Sequence, residues 1–316
     1  MGRCGKWPTG FGHLAGTLLL RVRRPPKSKN GHSDDTCMRR DIRIAAVVCQ
    51  CPVGRLDENL EQTRYWAMRA KQCRAHVVCF PEMNLTGYSN RKAIAEAALS
   101  DGGPEMDAVA QLAKDTQMTL LVGFAERGVD GSLYASHAVM TPEGRRGIYR
   151  KVHLAPPECD RFTPAASLPI FQWSGLRFGI QLCWDAHFPE LSTRMARADV
   201  DAIFIPHASP RGRASDKHRS WMRHLPARAF DNGVYVVACN QCGDNRCGLN
   251  FPGNAVVFSP SGEIVETRLS GEPGLLVADL KTEQISHVRE HRMRYFLPNR
   301  RPGLYRQKII LTKLDE

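Results

Sequence analysis

The sequence predicts an α/β domain whose sheets, of mixed strand direction, are covered by helices. Three observations carry this. Apolar strand-like runs alternate with amphipathic helical ones from about residue 42 onward, and the runs "SHAVMTPEGRRGIYRKVHL" and "GNAVVFSPSGEIVETRL" each read as two strands around a Pro-Glu-Gly or Pro-Ser-Gly turn. No linker-like stretch interrupts residues 40–285. Alternation favours parallel strands joined by helices, whereas hairpins add antiparallel neighbours.

Taken in order, "IRIAAVVCQ" at 42–50 is β-branched and apolar, as a buried strand requires. "DENLEQTRYWAMRAKQCRA" opens on Asp and Asn and places Leu60, Thr63, Ala67, Ala70 and Cys73 near helical spacing. "HVVCFPE" is a strand ended by Pro81, and the helix around "MDAVAQLAKDT" leads into strand "TLLVGFAER". After the first hairpin come strand 177–183, helix 189–198, strand "DAIFIPHAS", helix "HRSWMRHLPARAFDNG" with Asn232-Gly233 as its cap, strand "VYVVACN" and the second hairpin. The two halves share a strand-helix-strand-hairpin order, with too little identity to constitute a repeat.

Composition bounds the function. The 316 residues are 42% hydrophobic and 24% charged, with no run of about 18 apolar residues that would span a bilayer. The net charge of +12 is uneven: residues 1–37 hold seven bases and two acids, leaving +7 on the rest. That N-terminal extension, with "RRPPKSKNGHSDD", has a disordered composition. Its freedom from acids up to Asp34 leaves an organellar transit peptide open, but the reading favoured is a dispensable extension of a cytoplasmic protein. Residues 38–285 form one domain, and 286–316 a C-terminal segment packing on it or on a neighbouring subunit. No basic stripe is interleaved with stacking aromatics, so neither a nucleic-acid nor a membrane partner is expected. Of the 11 cysteines, Cys49, Cys79 and Cys239 lie in strand-like runs as buried thiols. The Cys239, Cys242, Cys247 spacing lacks a fourth ligand, and no metal or cofactor is expected.

Three motifs stand at strand ends, where side chains of an α/β protein converge: "CFPEMNLTGY" with Glu82, "YRKVHL" with Lys151, and "LCWDAHFPE" with Cys183. A cysteine between a strand end and a helix start sits where backbone N–H groups and the helix dipole favour a thiolate, and a nearby cation would lower its pKa further. Asp185, His187 and Glu190 follow Cys183 too closely to form a relay with it and are read as holding the turn. A Cys–His mechanism would instead need a distant base, His207 or His224.

These motifs, in this order and spacing, resemble those of the nitrilase superfamily of carbon–nitrogen hydrolases, over about Ile42 to Tyr305. The resemblance implies a four-layer α-β-β-α sandwich with two mixed sheets, assembled as a homodimer or higher homo-oligomer. It assigns Glu82 as general base, Lys151 as oxyanion stabiliser with the backbone N–H of Trp184, and Cys183 as the nucleophile that forms a thioester. Glu158, in "KVHLAPPECDRF", matches the family's second glutamate and is expected to orient Lys151 or the substrate amine. The chemistry is coherent without the name, because an amide carbon is a poor electrophile and needs a thiolate, a proton carrier and a cation at the developing charge.

Strict nitrilases tend to carry Cys-Trp-Glu, whereas Cys183-Trp184-Asp185 looks more like the amidase and N-carbamoyl-amine hydrolase branches. The expected activity is therefore hydrolysis of a small carboxamide or N-carbamoyl amine with release of ammonia. The alternatives are a nitrilase or a catalytically silent ligand-binding relative. Arg211, Arg213 and Lys217, in the loop after strand "DAIFIPHAS", point to a carboxylate-bearing substrate, and Ser209, Trp221, Tyr88 and Phe188 are candidate pocket liners.

Overall fold

The computed structural model describes residues 38–144 and 146–309. The expectation for residues 1–37 lies outside them, as does the end of the C-terminal segment. The first half of the chain contains β1 (Ile42–Val48), α1 (Leu56–Gln72), β2 (Val77–Cys79), the short α2 (Ala93–Glu96), α3 (Pro104–Thr116), β3 (Thr119–Arg127), and a hairpin of β4 (Leu133–Met140) and β5 (Arg146–Arg150). The second half follows the same plan with β6 (Phe171–Trp173), β7 (Leu176–Ile180), α4 (Pro189–Ala196), β8 (Ala202–His207), α5 (Ala214–Trp221), α6 (Leu225–Phe230) and β9 (Tyr235–Asn240). A small ribbon of β10 (Cys242–Asp244) and β11 (Asn250–Pro252) precedes the hairpin β12 (Ala255–Phe258) and β13 (Ile264–Arg268). The chain then returns to the first sheet as β14 (Gly274–Leu280), followed by α7 (Thr282–Arg289).

Two six-stranded sheets result, ordered β14-β1-β2-β3-β4-β5 and β13-β12-β9-β8-β7-β6. In each, three neighbouring strands run parallel (β1, β2, β3 and β7, β8, β9) and antiparallel strands flank them. Both sheets are therefore mixed, as the sequence predicts. Alternation along β1 sets the layering: Ile44, Ala46 and Val48 join the core shared with Phe178, Ile180 and Ile203 of the second sheet, while Ala45 and Val47 pack with Ala67, Val109 and Leu112 of α1 and α3. Helices α4 and α6 contribute Leu191, Met195, Leu225 and Ala229 to the core of the second sheet. Helix, sheet, sheet and helix follow one another, an α/β sandwich.

Two boundaries differ from the sequence reading. The strand expected to reach residue 183 ends at Ile180, and Cys183–His187 form a 3₁₀ turn. The single helix expected over "HRSWMRHLPARAFDNG" is two helices broken at His224, whose φ of −140° lies outside the helical region. Pro226, lacking an N–H, starts the second helix instead of continuing the first. The C-terminal segment packs through Val288, which is buried, and through Phe296, whose ring lies 5.3 Å from that of Phe230.

Candidate active site

Glu82, Lys151 and Cys183 each follow a strand end, and the structure buries Glu82 and Lys151 together, with half-buried Cys183 within reach of their charges. Lys151 Nζ donates to Glu82 Oε1 at 2.8 Å and to Glu158 Oε1 at 2.9 Å. All three side chains are almost fully withdrawn from solvent. Glu158 is thus not the surface acid that its place after two prolines would permit: Tyr88 Oη donates to its Oε1 at 2.9 Å, and the Ala155 N–H to its Oε2 at 2.8 Å. Tyr88, proposed from sequence as a pocket liner, lies in the site as a partner of Glu158.

Glu82 is held from the opposite sheet. The Ala208 N–H, just past β8, donates to Glu82 Oε2 at 2.8 Å, and Gln241 Nε2 donates to the Glu82 carbonyl at 2.8 Å. Its own loop crosses β3 at Gly123, where a Cβ would lie 2.3 Å from the Met83 nitrogen and 3.0 Å from the Pro81 carbonyl oxygen. Only a residue without a side chain lets the glutamate loop come this close to the strand.

Cys183 sits at a sharp elbow with φ +45°, a left-handed conformation unusual for a residue with a side chain. Buried Asp185 fixes the elbow, accepting from the Leu182 N–H at 3.0 Å and from Tyr149 Oη at 2.8 Å. Asp185 Oδ1 also accepts from the His153 N–H at 2.8 Å. One carboxylate therefore ties the Cys183 turn to residues on both sides of Lys151, the structural role expected of it. Arg228 braces the far end of the turn, its Nε donating to the Ala186 carbonyl at 2.9 Å. The first bond inside the 3₁₀ turn is Asp185 N–H to the Leu182 carbonyl at 3.0 Å, so the N–H groups of Cys183 and Trp184 precede the helical ladder.

The electrostatics overturn one expectation. Burial pushes the Cys183 thiol up to about 12, helped by the Glu82 and Glu158 charges and opposed by Lys151 and Lys217. The turn and the cations therefore do not leave a resting thiolate, because desolvation in company with two carboxylates outweighs them. Burial likewise lifts the Glu82 carboxyl to about 7 against the pull of Lys151. Burial alone would pull the Lys151 ammonium down, but Glu82 and Glu158 hold it well above the usual lysine range. The group is thus a neutral thiol, a fixed cation, and a carboxyl that changes protonation near neutrality, where a general base is most effective.

The remaining candidates are placed as follows. His207 is buried against Trp221, ring centroids 4.5 Å apart, with neither ring nitrogen hydrogen-bonded, and burial keeps it well below the usual histidine range. It does not pair with Cys183 as a Cys–His mechanism requires. Trp221 is a buried packing residue, and Phe188 stacks on His153 at 3.8 Å. Arg211 is exposed at φ +75°, whereas Ser209 Oγ accepts from half-buried Lys217 Nζ at 2.5 Å. Cys239 and Cys242 are buried free thiols, and Cys247 Sγ lies 3.5 Å from Ser89 Oγ. Sequence reasoning missed Ala208 and Gln241. Ala208 acts through its backbone and carries no side-chain signal, and Gln241 is marked only by its place after β9.

A buried Glu–Lys–Glu group beside a strained cysteine elbow, on an α/β sandwich, defines a class of enzymes that attack carbon–nitrogen bonds. Residues 43–290 match the family model described as carbon-nitrogen hydrolase. The chain is 30% identical over 266 residues to the "Hydrolase in pqqF 5'region" of Pseudomonas protegens, covering 81% of this chain and 88% of that protein. It is 28% identical over 268 residues to a nitrilase of Pyrococcus abyssi, covering 84% and 99% respectively. A crystal structure of an amidase from Nesterenkonia sp. superposes with a TM-score of 0.71 at 26% identity, covering 86% of this chain and 96% of the amidase. A mutant of that amidase is described as showing covalent addition of the acetamide moiety of fluoroacetamide at the active site cysteine. The chain belongs to the carbon-nitrogen hydrolase family, within the nitrilase superfamily, and is an enzyme of that class.

Proposed function

We propose that the protein hydrolyses a small carboxamide or N-carbamoyl amine through a Cys183 thioester, releasing ammonia. The observation that carries this reading is the Lys151 ammonium, fixed between Glu82 and Glu158 within electrostatic reach of Cys183. Glu82 takes the thiol proton as sulfur attacks the carbonyl carbon, and the C=O electron pair moves to oxygen. Lys151 Nζ and the Trp184 N–H stabilise that oxyanion. Collapse breaks the C–N bond, the nitrogen leaves as ammonia with the proton from Glu82, and a thioester remains. Glu82 then takes a proton from water, the resulting hydroxide attacks the thioester, and the thiol leaves reprotonated. Glu158 holds Lys151 in place throughout, itself fixed by Tyr88 and the Ala155 N–H.

Support for the amide over the nitrile comes from Asp185 after Cys183-Trp184 and from the likeness to the Nesterenkonia amidase. The nitrilase of Pyrococcus abyssi keeps a nitrile substrate as the second reading. The test is a panel of carboxamides, N-carbamoyl amines and nitriles, with ammonia measured for each. Turnover of carboxamides or N-carbamoyl amines is expected, and turnover of nitriles alone would overturn the amide assignment.

A further inference from the structure

The loop and helix after β8 carry four cations, of which one is built into the site. Arg213 and Arg219 pair with Asp216 at 3.4 and 3.2 Å, and Arg211 is exposed. Lys217, on α5, is half-buried, and among the described residues no carboxylate lies within ion-pair distance of its ammonium. Its partners are neutral: Ser209 Oγ at 2.5 Å and, at the long limit of 3.5 Å, the Pro210 carbonyl. An ammonium has three donors, so one remains for a ligand.

The support for this ammonium is rigid and continuous with the catalytic base. Ala208, whose N–H holds Glu82, is followed directly by Ser209. The Ser209 N–H donates to Asn240 Oδ1 at 2.9 Å, and Asn240 Nδ2 donates back to the Ser209 carbonyl at 3.0 Å. Buried Trp221 anchors the end of α5 against His207. Burial depresses the Lys217 ammonium, and its charge is felt at both Cys183 and His187. Withdrawing a cation from water without an anion costs free energy, and an anion arriving with the substrate offsets that cost.

We propose that Lys217 is a specificity residue that binds a carboxylate on the substrate, so that the protein acts on amides or N-carbamoyl compounds carrying a free acid a few bonds from the scissile carbonyl. This rests on the Cys183 thioester reading for its reaction but not for its binding. The alternative source of the same geometry is a lysine that serves the Cys183 sulfur alone, which would help neutral and acidic substrates equally.

The experiment compares succinamate with butyramide and glutaramate with valeramide, pairs that differ in a terminal carboxylate or methyl. The kcat/KM ratio of acid to neutral amide is measured in the wild type, Lys217→Gln and Lys217→Arg. The wild type is expected to favour the acids by about tenfold or more, as one charge-assisted hydrogen bond permits. Lys217→Gln should bring the ratio close to one, and Lys217→Arg should keep part of it. A ratio is insensitive to the fraction of folded enzyme. A wild-type ratio near one, or a ratio unchanged in Lys217→Gln, overturns the proposal while leaving the thioester reading intact. If no amide is turned over, calorimetric binding of succinamate against butyramide to the wild type and Lys217→Gln decides the proposal separately, by the same preference and its loss.

Discussion

The backbone N–H of Ala208 donates to Glu82 Oε2 at 2.8 Å, joining a glutamate that follows a strand of one sheet to a residue that follows a strand of the other. Glu82, the proposed general base, is therefore positioned by the packing of the two sheets as well as by its own loop. The other carboxylate oxygen accepts from Lys151, so both faces of Glu82 are occupied and its orientation is fixed before substrate arrives.

Replacing Glu82 by Gln keeps an acceptor for one of these donors but removes the proposed base. Turnover should fall by about a hundredfold to ten-thousandfold. In the wild type, kcat/KM should rise with pH through an acid limb centred near the Glu82 value of about 7 and flatten above it. The sign follows from the raised pKa: below 7 the carboxyl is protonated and takes no proton from the thiol. An acid limb centred near 4.5, the ordinary glutamate value, would show that Glu82 is not buried as described.

Lys151 neutralises two buried carboxylates, so Lys151→Met should do more than slow the reaction. Besides a loss of about a hundredfold or more in turnover, the fold should lose about 3–5 kcal/mol, the usual consequence of breaking a buried ion pair. Lowering the pH from 7 toward 5 should recover part of that loss, because protonation removes the unpaired charge. Thermal melts of the variant and wild type across this range check the prediction, and an equal melting temperature at pH 7 would contradict it. Lys151→Arg should not restore turnover, since a planar guanidinium displaces the charge from the reacting oxygen.

Gly123→Ala tests the close approach of the glutamate loop. The added methyl would meet backbone at Met83 and Pro81, which has no rotamer to yield, so Glu82 must shift. A displacement on the order of 1 Å costs about a hundredfold in rate. The expected result is a large drop in kcat/KM and a lowered melting temperature, and unchanged kcat/KM would refute it.

Asp185→Asn should loosen the cysteine elbow. The carboxylate accepts from Leu182, Tyr149 and His153, whereas an amide presents two donors of its own toward some of the same groups. A buried donor left unsatisfied costs about 1–3 kcal/mol. Measured by denaturant unfolding, a change below about 0.5 kcal/mol would show that Asp185 does not hold the elbow, since surface substitutions lie in that range.

The sheets, their hairpins and the three strand-end motifs were legible because each rests on local pattern: β-branched runs such as Ile42–Val48, turns at Gly144 and Gly262, and Glu82, Lys151 and Cys183 next to strand ends. The break at His224 was not, since Pro226 begins a new helix where a single amphipathic run reads as continuous. Nor was the protonation of Cys183 legible. The turn and Lys151 are visible in sequence and suggest a thiolate, but burial and the convergence of Glu82 and Glu158 on the same point exist only in three dimensions. Likewise Lys217 reads as one of several loop cations until the structure pairs Arg213 and Arg219 with Asp216 and leaves Lys217 half-buried on Ser209.

In the proposed reaction Cys183 carries the acyl group during turnover. The most direct measurement is the intact mass of the wild-type protein, quenched in acid during hydrolysis of a carboxamide that releases ammonia, beside that of Cys183→Ala. Cys183→Ala must first be shown folded by circular dichroism. A wild-type species heavier by the acyl group is expected, localised to Cys183 by peptide mapping, with neither adduct nor ammonia from the variant. Ammonia release by folded Cys183→Ala at a rate near the wild type would contradict it.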